Sequence, residues 1–237
     1  EKARRDLARF AKVLLETRPF SRHAEAICLR GVLPTAAATG PDEPRKGLFT
    51  APPAGTSFNT FDSARYLTTL DNKALRDLAG QVPYDALMVM ANSSRYGGAG
   101  IYNFFSIFVA DNEYDEYVFI HEFGHGFAGL GDEYYTSLVA YSDFYPRGVE
   151  PWEPNVTAAL DGAGEVKWRA LLTPEVHLPT PEEERYADVV GVFEGAGYSA
   201  KGLFRPALDC KMFSKKRKDF CPVCMTAVEA MISFYTE

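Results

Sequence analysis

The chain has 237 residues, 46% of them hydrophobic, and a formal net charge of −7. That is enough for a real core, in one domain or in two lobes around a cleft. The acidic balance argues against nucleic acid and anionic membrane surfaces as partners, and no run approaches the roughly 18 apolar residues of a membrane span.

From the N-terminus, Leu7, Phe10, Val13 and Leu14 recur at helical spacing and predict an amphipathic helix over 6–16. The apolar run 26–33 predicts a strand. Residues 34–60, rich in Pro, Gly, Ala and Thr, predict a long loop of the kind that often carries function. A short helix is expected over 72–78. A strand is expected over 84–90, with 86–90 as a buried run, then a glycine-rich turn over 93–100. The aromatic and β-branched stretch 101–110 predicts another strand, and a helix follows over about 114–128. Beyond it periodicity fades. Residues 136–190, with Trp152, Trp168 and several Pro, predict irregular structure with short helices, and Glu182, Glu183 and Glu184 a solvated acidic patch. The basic run 211–218 reads as a solvated loop. Val223, Ala227, Ala230, Met231 and Phe234 predict a closing helix over 222–235, with Pro222 in its first turn.

The helix over 114–128 carries the chemistry. His121 and His125, two of only four His, are four apart, which puts both imidazoles on one helix face. Two such nitrogens can share one zinc ion, and Glu122 beside them can take a proton from a water that the metal activates. A bare H-E-x-x-H also occurs on solvated helices that bind nothing. Here the apolar run Tyr117-Val118-Phe119-Ile120 precedes it and suits a buried helix. Gly129 and Gly131 then let the helix end and the chain turn, and Asp132 arrives where a third ligand can return to the metal. Glu133 is its rival. His23 and His177 are remote alternatives. Glu150, Glu153 or Glu165 could act as a downstream Glu ligand, but that reading leaves the Gly-Leu-Gly-Asp-Glu turn unexplained.

Of the four Cys, Cys221 and Cys224 form a Cys-x-x-Cys pair, Cys210 lies eleven before Cys221, and Cys28 is remote. Such a pair can be half of a structural zinc site, a redox pair, or two thiols at a helix start. A four-ligand zinc site would need Cys28 or a His from far away, and no βαβ context supports a redox role. A disulfide from Cys210 to Cys221 or Cys224 is the expectation for an exported protein.

The run from His121 to Tyr134 resembles the active-site motif of the bacterial IgA-peptidase family of zinc metallopeptidases, which is metzincin-like. A second block agrees and follows in the expected order: Glu194-Gly-Ala-Gly-Tyr198, Gly202-Leu-Phe-Arg-Pro206, Asp209-Cys-Lys-Met212 and Phe220-Cys-Pro-Val-Cys224. Weaker similarity extends upstream through Ala91-Asn92 and Tyr96-Gly-Gly98.

The resemblance implies an α+β zincin: a twisted mixed sheet, a zinc-binding active-site helix and an irregular C-terminal lobe, in one catalytic domain whose lobes divide near residue 130. It implies Asp132 in place of the third His of ordinary metzincins, and Met212 in the tight turn below the metal, with Met225 as runner-up. Tyr198 and Arg205 are candidates by type for steadying an oxyanion; Tyr198 could instead be packed and Arg205 salt-bridged. The implied activity is that of a zinc-dependent endopeptidase, with Zn2+ as cofactor and Glu122 as general base. Its protein or peptide substrate is expected alongside an edge strand, for which 101–110 is the candidate. A secreted, periplasmic or cell-surface location in a bacterium is expected, although no leader is visible in a chain that starts at Glu1. Two other classes stay open: a zinc amidase acting on cell-wall peptides, and a zincin-fold binding module with decayed catalysis, against which the intact Glu122 argues.

Overall fold

A computed structural model describes residues 1–136, 144–146, 148–159 and 165–237. These residues form a mixed α+β structure with four α-helices and three small sheets. No described helix is long and apolar enough to cross a membrane. The chain separates into two compact units, Glu1–Phe127 and Ala128–Tyr235.

In the first unit, helix α1 (Lys2–Glu16) begins before the predicted start and buries Phe10 and Leu14. Phe10 packs edge-on against Phe108, with ring centroids 4.6 Å apart, and lies 5.1 Å from Phe119. Arg9 anchors the same helix: its guanidinium forks onto Asp115 at 3.1 and 2.7 Å and donates to the Ala110 carbonyl at 2.7 Å. Strands β1 (Thr56–Phe58) and β2 (Leu67–Thr69) form an antiparallel pair. Helix α2 (Asn72–Ala79) follows, capped by the Asp71 side chain on the Ala74 amide at 2.9 Å.

The principal sheet has the order β3-β5-β4, built from β3 (Met88–Ala91), β4 (Gly98–Ile101) and β5 (Phe105–Val109). It is mixed: β3 runs parallel to β5, and β4 antiparallel. Every residue of β5 is buried, as the central position requires. Helix α3 (Asp115–Ala128) follows the sheet. Val118, Phe119 and Ile120 are consecutive and all buried, so α3 is covered on more than one face.

Several predicted strands change here. The stretch 101–110 is not one strand, because the chain turns at Asn103, with φ +54° and the Phe104 amide bonded to the Ile101 carbonyl at 3.0 Å. Ile101 therefore ends β4 and Phe105 begins β5. The C-terminal part of 101–110 is the middle of the sheet, not its edge; the edges are β3 and β4. Residues 93–100 are not all turn, since Gly98 and Gly100 lie in β4. β3 is shorter than the predicted 84–90 strand and half-buried because it is an edge. Residues 27–33 form no strand, and Leu29 and Leu33 are exposed. The predicted loop 34–60 contains a 3-10 turn, Pro44–Lys46, as well as β1.

In the second unit, β6 (Phe193–Ala196) and β7 (Ser199–Arg205) make an antiparallel hairpin with a register shift between Glu194 and Ala196. Its tip carries Gly197 at φ +53° and Tyr198 at φ +66°, the left-handed pair that a two-residue hairpin turn requires. Thr157 adds a short bridge to Phe204, with N–H···O bonds of 3.1 and 2.8 Å. Helix α4 (Pro222–Thr236) closes the unit, with Pro222 in its first turn and Val223, Cys224, Val228 and Ile232 buried. Before β6 the described chain is irregular, with 3-10 turns at Arg169–Leu171 and Glu184–Tyr186. The parts of the predicted irregular stretch at 137–143, 147 and 160–164 lie outside the described residues.

Candidate metal centre

Helix α3 holds two imidazoles in a metal-ready arrangement. His121 is buried, His125 half-buried, and their Nε2 atoms stand 3.1 Å apart. Two nitrogens each about 2.0–2.1 Å from one tetrahedral zinc would stand roughly 3.3 Å apart, so the pair fits a shared ion. The rings are nearly perpendicular, at 89°. The Tyr117 hydroxyl meets His121 Nδ1 at 3.2 Å. With Nδ1–H donating to that oxygen, the Nε2 lone pair faces the metal side, the tautomer a zinc ligand needs. Tyr117 was not a predicted site residue; its signal is the same spacing of four.

The sheet fixes α3 by direct backbone approach. A Cβ on Gly100 would stand 2.3 Å from the Glu122 carbonyl oxygen and 2.6 Å from His125 Cβ. One on Gly98 would stand 2.9 Å from Glu122 Cγ, and one on Gly126 2.1 Å from Ser106 Oγ. Ser106 Oγ donates to the Glu122 carbonyl at 2.8 Å, and the Asn103 amide to the Gly126 carbonyl at 2.9 Å. The glycines of β4 are therefore there for contact with α3, which places the Glu122 side chain over the β4 edge.

In the second unit, the segment after α3 is held from several sides. Gly129 takes φ +63°, the left-handed residue that ends a helix. Gly131 is instead a packing glycine: a Cβ there would lie 2.9 Å from Val156 Cγ2. The buried Asn155 amide clamps it, accepting from the Gly131 amide at 2.7 Å and donating to the Gly131 carbonyl at 2.9 Å. Asp132 is buried, and its Oδ2 accepts the Tyr198 hydroxyl. The hairpin tip supports the same segment, with the Gly197 amide on the Asp132 carbonyl at 2.9 Å and the Tyr198 amide on the Tyr134 carbonyl at 3.0 Å. Met212 is fully buried, and its carbonyl accepts the Glu133 amide at 3.0 Å. Met225 is half-buried on α4.

Glu133 points away from any rivalry with Asp132. Its carboxylate meets Cys224 Sγ at 3.1 Å and accepts from Asn155 at 3.0 Å. Cys210, Cys221 and Cys224 are all buried beside it, with Cys210 and Cys224 sulfurs 3.8 Å apart. The expected disulfide is not formed; all four Cys are thiols. Burial pushes Glu133 well above the usual carboxylate range and raises Cys210 and Cys224. At Cys221 burial also opposes charge, but hydrogen bonds from Cys210 and Cys224 outweigh it and bring the thiol down to about 6.

Arg205 is buried with its guanidinium committed: it donates to the Glu194 and Gly195 carbonyls at 2.8 and 2.7 Å and pairs with Glu182 at 2.7 Å. This is the salt-bridged alternative; Glu182 itself stays exposed with Glu183 and Glu184, as expected of a solvated patch. Glu150 binds Thr157 and the Ala158 amide, each at 2.7 Å, and Glu153 accepts the Tyr145 hydroxyl at 2.8 Å. Glu165 is exposed and paired with Arg169. His177 is exposed, its Nδ1 on the Pro179 carbonyl, and His23 flanks two 3-10 turns.

The profile of the family described as IgA Peptidase M64 matches residues 1–186 and 182–232. No curated protein matches the chain.

Proposed function

The chain belongs to the IgA peptidase M64 family of metallopeptidases, and from that premise we propose that it is a zinc-dependent endopeptidase in which Glu122 moves the protons. What carries the reading is the pair of converging Nε2 atoms, 3.1 Å apart, on a helix pressed against glycines of β4. His121 and His125 would hold the zinc, and Asp132, four residues beyond the end of α3 in the sequence, would be the third ligand. When bound, the metal supplies Lewis-acid chemistry, polarising a carbonyl and making water acidic enough to yield a nucleophile near neutral pH.

The chain's own groups do the rest. Tyr117 holds the His121 ring in its ligand tautomer, and Tyr198 holds the Asp132 carboxylate, so Tyr198 acts as a positioning residue. Glu122 accepts a proton from the attacking water and returns one to the leaving amine. The peptide substrate lies along β4 rather than along 101–110, because β4 is the edge over which Glu122 sits. Tyr66 bridges to Gly98 at one end of that edge, leaving Ala99–Ile101 for the substrate backbone.

Casein cleavage and zinc content, measured together, test this. Glu122→Ala is expected to keep its zinc and lose about 10²–10⁴-fold in rate or more. His121→Ala loses zinc, and activity with it. Equal cleavage by wild type and Glu122→Ala overturns the mechanism; no cleavage of any protein or peptide by the wild type favours the decayed binding module instead.

A further inference from the structure

The second unit contains a donor cluster that the proteolytic mechanism does not use. Glu133, Cys210, Cys221 and Cys224 each turn one ligand atom inward, and all four atoms lie within 4.8 Å of one another. We propose that this cluster is a second, structural metal site, of the closed four-ligand kind that takes zinc.

Distances separate this from a disulfide. Two sulfurs each about 2.3 Å from one tetrahedral zinc stand roughly 3.8 Å apart. Cys210 and Cys224 are 3.8 Å apart, nearly twice the length of an S–S bond of about 2.05 Å. Glu133 Oε1 lies 3.1 Å from Cys224 Sγ and 4.0 Å from Cys221 Sγ, on the scale of ligands sharing an ion. A disulfide would also leave the third buried sulfur and the carboxylate without a role.

The surroundings are those of thiolate ligands. The Cys221 amide donates to Cys210 Sγ at 3.2 Å. Cys221 caps α4 and Cys224 lies in its first turn, so the positive end of the helix faces the sulfurs. Asn155 orients Glu133 from the far side at 3.0 Å. Glu133 is fully buried, and its Oε2 has no hydrogen-bond partner in the described structure, which is costly unless something else satisfies the carboxylate. Uptake of one Zn2+ displaces to solvent whatever protons the three sulfurs and Glu133 still carry and forms three Zn–S bonds and one Zn–O bond. No open position remains, so the ion has a structural role.

The test uses the full chain purified under reducing conditions, as wild type, His121→Ala/His125→Ala and Cys221→Ser/Cys224→Ser. Each is stripped of metal and reloaded with Co2+, whose thiolate complexes show a near-ultraviolet charge-transfer band. Wild type should take up two cobalt ions with the band. The His variant should keep one ion and the full band, and the Cys variant should lose the band. The wild-type spectrum decides even if the Cys variant does not fold: no band means no thiolate ligation and overturns the site. Finding only two reactive thiols in unreduced, denatured wild type would show a disulfide and overturn it equally. Because the His variant reads the cluster without the helix pair, failure of the peptidase reading leaves this outcome distinct.

Discussion

Two donor sets in this chain contrast in how they are made. The histidine pair is local: two residues four apart on one helix, with the tyrosine that orients His121 another four residues back. The buried carboxylates and thiols of the second unit are instead held by segments far apart in sequence, with Tyr198 66 residues from Asp132 and Cys224 91 from Glu133. A single helix converts sequence spacing directly into geometry. A set built from loops, a hairpin tip and a helix start does not, and its integrity rests on buried hydrogen bonds.

The largest effect expected from that dependence is at Asn155. Replacing it by Ala strips partners from the Gly131 amide, the Gly131 carbonyl and Glu133 at once. Asn155→Ala should cost about 3 kcal/mol in urea unfolding. A cost within experimental error would mean that the 131–133 segment holds itself. Gly100→Ala probes whether the histidine pair is as local as it looks. A Cβ 2.3 Å from the Glu122 carbonyl forces α3 to shift, at about 2 kcal/mol of stability and with a drop in proteolysis. Unchanged activity in a folded Gly100→Ala would show that α3 positions the site without its sheet contact.

The two tyrosines sharpen the comparison further. Tyr117→Phe and Tyr198→Phe each remove one hydroxyl from a proposed ligand, and each should weaken zinc binding roughly 10-fold in chelator competition. If only Tyr117→Phe has this effect, Asp132 is not a ligand. The smallest effect lies in the first unit. Glu43 has its carboxyl lowered chiefly by the hydrogen bond from Lys46, against burial, with Arg95 adding to it. A carboxyl whose folded pKa lies below its unfolded value of 4.5 stabilises above about pH 4.5. That contribution is lost as pH falls through the folded value. Glu43→Gln should flatten this part of an acid unfolding curve.

The same contrast explains what the sequence disclosed. Helices α1 and α4 are legible because hydrophobic periodicity and Pro222 are local signals, whereas the Asp71 cap of α2 appears only in the structure. His121, Glu122 and His125 were legible for the same reason. The break at Asn103 was hidden inside an aromatic and β-branched run, and only its left-handed backbone marks it. Gly98 and Gly100 read as turn residues because nothing local says that a helix lies on them. Cys210, Cys221 and Cys224 stand out in the sequence as a trio, but Glu133 lies next to Asp132 and reads there only as its competitor. Asn155 offered no signal at all, since its value comes entirely from the backbone it meets.

The contact between Glu133 and Cys224 also bears on the topology of the chain. A metal held there joins points 91 residues apart, closing most of the second unit into a ring. Asn155, the Tyr198 hairpin and Arg205 all lie within that ring. Closing a loop of this length removes roughly 4 kcal/mol of chain entropy from any unfolded state in which the tie survives. Such a ring would act as a cross-link that a chelator, rather than a reductant, can open.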